Sequence, residues 1–197
     1  GRDREDAGAR YDAGELADPA YAANPVDRCY FCKTDLYGTI RRHTDWPMAS
    51  GANLDDLGDF RPGLTAAAQH GVRHPLVEAG IDKATVRALA AEEGLDDLAE
   101  LPASPCLSSR IETGMPVTVG RLKLVLEVER LLRREFPQAT ARCRLRASGV
   151  VVELDEATLA GLADPGALGR RIAEAQGLDE PVAVAAYSRG SAILHGR

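Results

Sequence analysis

Cys29 and Cys32, in "NPVDRCYFCK", stand three residues apart between a proline turn and a run with helical character. Two sulfurs at that spacing can converge on one metal, or one can lower the pKa of the other. A zinc site needs four ligands, commonly from a second C-x-x-C or H-x-H pair, and the sequence contains none. The other two cysteines are single. In "ARCRLRA", strand alternation puts Cys143 with Leu145 and Ala147 on one face, so Cys143 reads as a core residue. Cys106 sits in "SPCLSSR", beside hydroxyls and an arginine able to bind an anion or stabilise a thiolate. Three cysteines without a fourth suit a [4Fe–4S] cluster with one iron left for an exogenous ligand. The residues equally allow Cys29 and Cys32 to be incidental and Cys106 alone to react.

Arg142, Arg144 and Arg146 share the opposite strand face and would repel one another unless solvated or facing an anion. The plain reading is a solvated outer face; with Ser109 and Arg110 from a loop, a phosphate pocket is the sharper expectation, because a guanidinium grips phosphate with a planar fork. Glu153 could pair with these arginines or hold a divalent cation. In "GANLDDLGDFRPG", Gly51 and Asn53 suit close backbone approach to a ligand, and Asp55, Asp56 and Asp59 supply carboxylates. The same loop could equally be an Asp-rich turn capping a helix.

The elements that must position these residues follow from pattern. A short helix is expected from Cys32 to about Arg42, then a strand end at "WPMAS" and a long loop. "HPLVEAG" reads as a short buried strand. Asp82 caps a helix to about Glu93 with Val86, Leu89 and Ala90 inward. After the proline-rich loop 101–118, Thr118 opens a helix to about Glu135, with Leu124, Val128, Leu131 and Leu132 as its apolar stripe. A hairpin over 141–155 turning at Ser148-Gly149, two helical stretches and a strand at 181–187 complete the chain. The expected division is residues 1–112 and 113–197. With 197 residues, 45% of them hydrophobic and 27% charged, the composition is that of an ordered protein. The net charge of −6 argues against nucleic acid as the partner. No apolar run is long enough to span a membrane, and the charged opening "GRDREDAGAR" lacks a signal-peptide core, so a cytoplasmic location is expected.

Taken together, "ELADPAYAANPVDRCYFCK", "GANLDDLGDFRPG", "HPLVEAG", "PCLSSRI" and "YSR" before "GSAILHG" resemble the LarE-type ATP-dependent sulfur transferases, over roughly residues 15–191. These proteins complete the nickel-pincer nucleotide cofactor and are similar to the PP-loop ATP pyrophosphatases. The resemblance implies an α/β fold: a partial PP-loop (adenine nucleotide alpha hydrolase-like) parallel sheet, then a small α+β domain for substrate and oligomerisation. It implies that ATP with Mg2+ adenylates a carboxylate of a pyridinium dicarboxylate mononucleotide, and that sulfur displaces AMP to leave a thiocarboxylate. In one branch the loop cysteine, here Cys106, gives up its own sulfur and becomes dehydroalanine. In another, a cluster relays sulfide; its ligands would be Cys29, Cys32 and Cys106. The implied phosphate contacts are Ser109, Arg110, Arg142 and Arg144, the implied nucleotide contacts Gly51, Asn53 and Asp56. Glu129 and Glu153 fall where a divalent cation would be held, and a homo-oligomer is expected.

The family's S-G-G-x-D-S loop, which cradles the ATP pyrophosphate, is not among these residues. The sequence therefore reads as the C-terminal two-thirds of such a protein, either a fragment or a chain that has lost its first strands. ATP hydrolysis by this chain alone is not expected. Competing expectations are a PP-loop tRNA thiolase, a zinc-stabilised binding module and an inactive remnant that keeps the substrate pocket.

Overall fold

Most elements begin at a side chain that caps them or a proline that pre-sets them. The computed structural model describes residues 11–99, 105–188 and 190–191. It divides into two compact units: residues 11–18 with 27–99, and residues 19–26 with the described residues from 105 onward. The single-turn helix α1 (Pro19–Ala22) belongs to the second unit.

In the first unit the main helix is α2 (Arg28–His43). It starts four residues earlier than expected, so Cys29 as well as Cys32 lies in its first two turns. Leu36, Tyr37 and Ile40 on one of its faces join Met48, Ala67 and Val72 in a small core. Ala67 comes from α3 (Pro62–Gln69), which opens on a proline whose missing N–H costs nothing there. Ala49 forms a parallel bridge with Arg73. The expected strand at "HPLVEAG" is instead the helical turn α4 (Pro75–Glu78). Pro75 fixes a helical φ, and the Glu78, Ala79 and Gly80 amides turn back to His74, Pro75 and Val77, ending extended pairing at Arg73. Asp82 caps α5 (Lys83–Glu92), accepting from the Thr85 amide at 2.7 Å. Leu89, expected inward, is 43% exposed. The turn α6 (Asp96–Ala99) follows.

In the second unit Thr118 caps α7 (Val119–Glu135) as expected, accepting from Arg121 N. Strands β1 (Ala141–Arg146) and β2 (Gly149–Leu154) form the antiparallel hairpin, with Arg142 opposite Glu153 and Cys143 opposite Val152. The turn is Ala147-Ser148, and Gly149 (φ 115°) already opens β2. Helices α8 (Glu156–Ala160) and α9 (Pro165–Gln176) provide the crossover to β3 (Ala183–Ala186), which pairs parallel to β2. The result is a mixed sheet in the order β1-β2-β3. Helix α7 packs on β1, α9 packs on β3, and the two helices touch. Val125, Val128, Leu132, Cys143, Val152, Leu154 and Ile172 are fully buried between these layers. Gly169 lets α9 approach closely: a Cβ there would lie 1.9 Å from the Val182 carbonyl oxygen.

The protein is thus mixed α/β, with several helices and a small three-stranded sheet. Residues 1–10, 100–104, 189 and 192–197, which include the arginine of "YSR" and part of "GSAILHG", lie outside the described residues. Among the described residues, no helix is long and apolar enough to cross a membrane.

Candidate functional site

The densest polar chemistry lies in the second unit, where a loop meets the outer edge of β1. After Cys106, a 3-10 turn, Leu107–Arg110, leads to Ile111, which bridges in parallel to Leu145. Arg110 is buried and forks onto Glu129 of α7, Nε donating to Oε1 at 2.9 Å and Nη2 to Oε2 at 3.3 Å. Its remaining nitrogen, Nη1, donates to the carbonyls of Pro105 and Cys106 and to Ser109 Oγ. One guanidinium therefore fixes the whole turn. Glu129 also accepts from the Cys143 amide at 3.2 Å, closing a backbone donor on the β1 edge.

A second buried pair lies beside the first. Arg144 Nε donates to Glu153 Oε2 at 2.9 Å, and its other nitrogens reach the carbonyls of Ser109 and Ser188. Glu153 Oε1 accepts from Arg146 and from Ser191 Oγ, both at 2.6 Å. Arg146 Nε is buried without a hydrogen-bond partner. Arg142, half-buried, donates to the Ala141 carbonyl. Burial, then the neighbouring charge of Arg110 and more weakly that of Arg144, pulls its pKa below the ordinary arginine value; Glu129 and Tyr187 oppose this. Among the described residues, the four guanidiniums gather around the carboxylates of Glu129 and Glu153. Such a concentration of arginine suits an anionic ligand.

The structure brings together Ser109, Arg110, Arg142 and Arg144, the residues that the resemblance assigns to the substrate phosphate. Glu129 and Glu153, the carboxylates assigned to a divalent cation, accept from arginines. Among the described residues no three His, Cys, Asp or Glu side chains are gathered where they could hold a metal ion. Cys106 is exposed at the head of the arginine-bearing turn. Cys143 is fully buried, and burial, then the charge of Glu129, pushes its thiol up to about 12. It stays protonated at neutral pH.

In the first unit, Cys29 is exposed and Cys32 half-buried, three residues apart on α2. That spacing puts two side chains on one helix face. Asn53 and Asp56 form a capping box at the 3-10 turn Leu54–Gly58: Asn53 Oδ1 accepts from Asp55 N, and Asp56 Oδ2 accepts from Asn53 N. Arg61 pairs with the other Asp56 oxygen at 2.8 Å. Gly51 has nothing within 4 Å of where a Cβ would stand, so its backbone is open to close approach. Two residues that shape the second unit's site, Tyr21 and Asn24, were not singled out by their spacing. The available signal was the Asn-Pro pair, which marks a turn.

Fold and cluster together define a mixed α/β protein with a cationic, largely buried centre in its second unit. The chain is 33% identical over 149 residues to the pyridinium-3,5-bisthiocarboxylic acid mononucleotide synthase of Lactiplantibacillus plantarum, covering 73% of this chain and 53% of that protein. It is 43% identical over 129 residues to an uncharacterised protein of Synechocystis sp., covering 61% of this chain and 46% of that one. It is also 26% identical over 137 residues to an uncharacterised protein of Methanocaldococcus jannaschii, covering 68% and 53%. No protein-family model matches. The homologue from Lactiplantibacillus supports the LarE-type family, and the chain spans about half the length of the curated relatives it matches.

Proposed function

We propose that this chain carries substrate-binding and sulfur-donating residues of an ATP-dependent sulfur transferase that turns a carboxylate of pyridinium-3,5-dicarboxylate mononucleotide into a thiocarboxylate. The observation that carries the proposal is the gathering of Arg110, Arg142, Arg144 and Arg146 beside Cys106. A mononucleotide phosphate is a dianion, and guanidiniums bind it through charge-assisted hydrogen bonds. The similarity to a synthase of the bisthiocarboxylic acid mononucleotide supports the same substrate class.

In this mechanism ATP, with Mg2+, is consumed to adenylate the carboxylate and release pyrophosphate. Gly51, with Asn53 and Asp56 shaping its loop, is the place for the nucleotide to approach. Arg142 and Arg144 hold the substrate phosphate, which brings the acyl carbon to Cys106. The Cys106 thiolate attacks that carbon and AMP leaves, giving a thioester. The Cβ–S bond of Cys106 then breaks as a base takes its Cα proton; the thiocarboxylate departs and dehydroalanine remains. The alternative sulfide-relaying route would need a [4Fe–4S] cluster, and among the described residues no three Cys, His, Asp or Glu side chains are gathered to hold one.

Replacing by alanine the cysteine that corresponds to Cys106 in a full-length homologue should abolish thiocarboxylate formation, read by mass spectrometry of the mononucleotide. The Cys143→Ala equivalent should keep most of it. Undiminished product from the first variant would overturn the proposal. Anaerobic reconstitution, which on the cluster route would load about four iron and four sulfide per chain, rejects that route if it yields stoichiometric zinc.

A further inference from the structure

Within the second unit, one short segment holds the arginine-bearing loop at many points. Tyr21 is buried, and its hydroxyl lies 2.6 Å from Ser108 Oγ. Asn24 is fully buried, and its side-chain amide donates to the carbonyls of Ile111, Glu112 and Met115 at 3.3, 2.8 and 2.9 Å. Its own carbonyl accepts from Gly114 N at 2.8 Å, and the Ala22 carbonyl accepts from Val117 N at 2.8 Å. Asn24 is also the one non-glycine residue with a positive φ among the described residues, at 57°. A side chain with a Cβ resists that conformation, and the following Pro25 restricts it further. Strain of this kind persists only where the surroundings over-determine it, and such residues cluster at functional sites.

The points of attachment matter. Tyr21 grips Ser108, directly before Ser109 and Arg110, and Asn24 grips the carbonyls directly after them. On the β1 side the same loop is held by the Glu112 amide on the Leu145 carbonyl. A guanidinium locked to Glu129 can stand correctly for an anion only if the backbone carrying it is locked too. Resting on the functional reading above, we infer that Tyr21 and Asn24 are positioning residues for the anion site. They act through the backbone of residues 106–117 and touch no ligand themselves.

Two substitutions isolate the effect. Tyr21→Phe removes only the hydroxyl. Asn24→Gly keeps the positive φ, which glycine adopts freely, and removes the side chain with its amide. Amide exchange at Gly114 and Val117 should quicken about tenfold in Asn24→Gly, because the loop loses the side-chain hydrogen bonds that hold it against residues 22–24. Affinity for the pyridinium dicarboxylate mononucleotide should fall about tenfold in Asn24→Gly and about fivefold in Tyr21→Phe. A core truncation that lowers the melting midpoint comparably, Leu168→Ala, should retain wild-type affinity. Unchanged exchange, or unchanged affinity of both variants against a wild type that binds, would overturn the inference. A wild type that does not bind the mononucleotide overturns the functional reading, and the exchange result then decides alone whether Asn24 holds the loop.

Discussion

The first unit's ion pairs and the second unit's two buried ones use the same charged side chains under opposite conditions. In the first, Arg73 pairs with Glu78 and Arg61 with Asp56, and each arginine is about half exposed or more. In the second, Arg110–Glu129 and Arg144–Glu153 keep every partner's side chain at 6% exposure or less. Exposed pairs contribute little, because water competes and two long side chains lose freedom. Buried pairs carry a desolvation cost that hydrophobic packing would avoid, and losing one partner strands the other charge. The first unit's pairs can therefore be read as surface trim. The second unit has exposed pairs too, Arg171–Glu135 among them, but its two buried pairs hold an arrangement that apolar residues could not make.

That contrast can be broken by substitution. Glu153→Gln, which strands buried Arg144 and half-buried Arg146, should destabilise the protein most, by about 3–5 kcal/mol in a urea unfolding measurement; a loss under 1 kcal/mol would mean the pair is solvated. Gly169→Ala should cost about 1–3 kcal/mol through overpacking of α9 against Val182; an unchanged midpoint would show that α9 has room to shift. Arg73→Ala should leave the thermal midpoint unchanged within error. A clear drop would erase the distinction between the units.

Much of this was legible in the sequence where a local rule applied. The Asp82 and Thr118 caps, the α7 stripe and the hairpin follow from side chains within a few residues of one another. Strand alternation located Cys143 correctly for the same reason. "HPLVEAG" misled because a short apolar run fits a strand or a helical turn, and Pro75 decided for the turn. Leu89 misled because helical periodicity names a face without saying that a partner covers it. At the site, the arginines were visible as an alternating set. The role of Glu129 as counter-ion was not, although a carboxylate within the buried α7 face was the clue. Asn24 escaped because its partners lie 87 to 91 positions away, beyond any local pattern.

The central claim is that the arginine cluster around Arg142 receives a mononucleotide phosphate. It is tested most directly by titration calorimetry of the chain with pyridinium-3,5-dicarboxylate mononucleotide and with the nucleoside lacking the phosphate. Binding should require the phosphate, and Arg142→Ala should weaken it about 10- to 100-fold, the worth of a charged hydrogen bond. Equal affinity for the nucleoside, or an Arg142→Ala protein that binds as tightly as the wild type, would contradict the account.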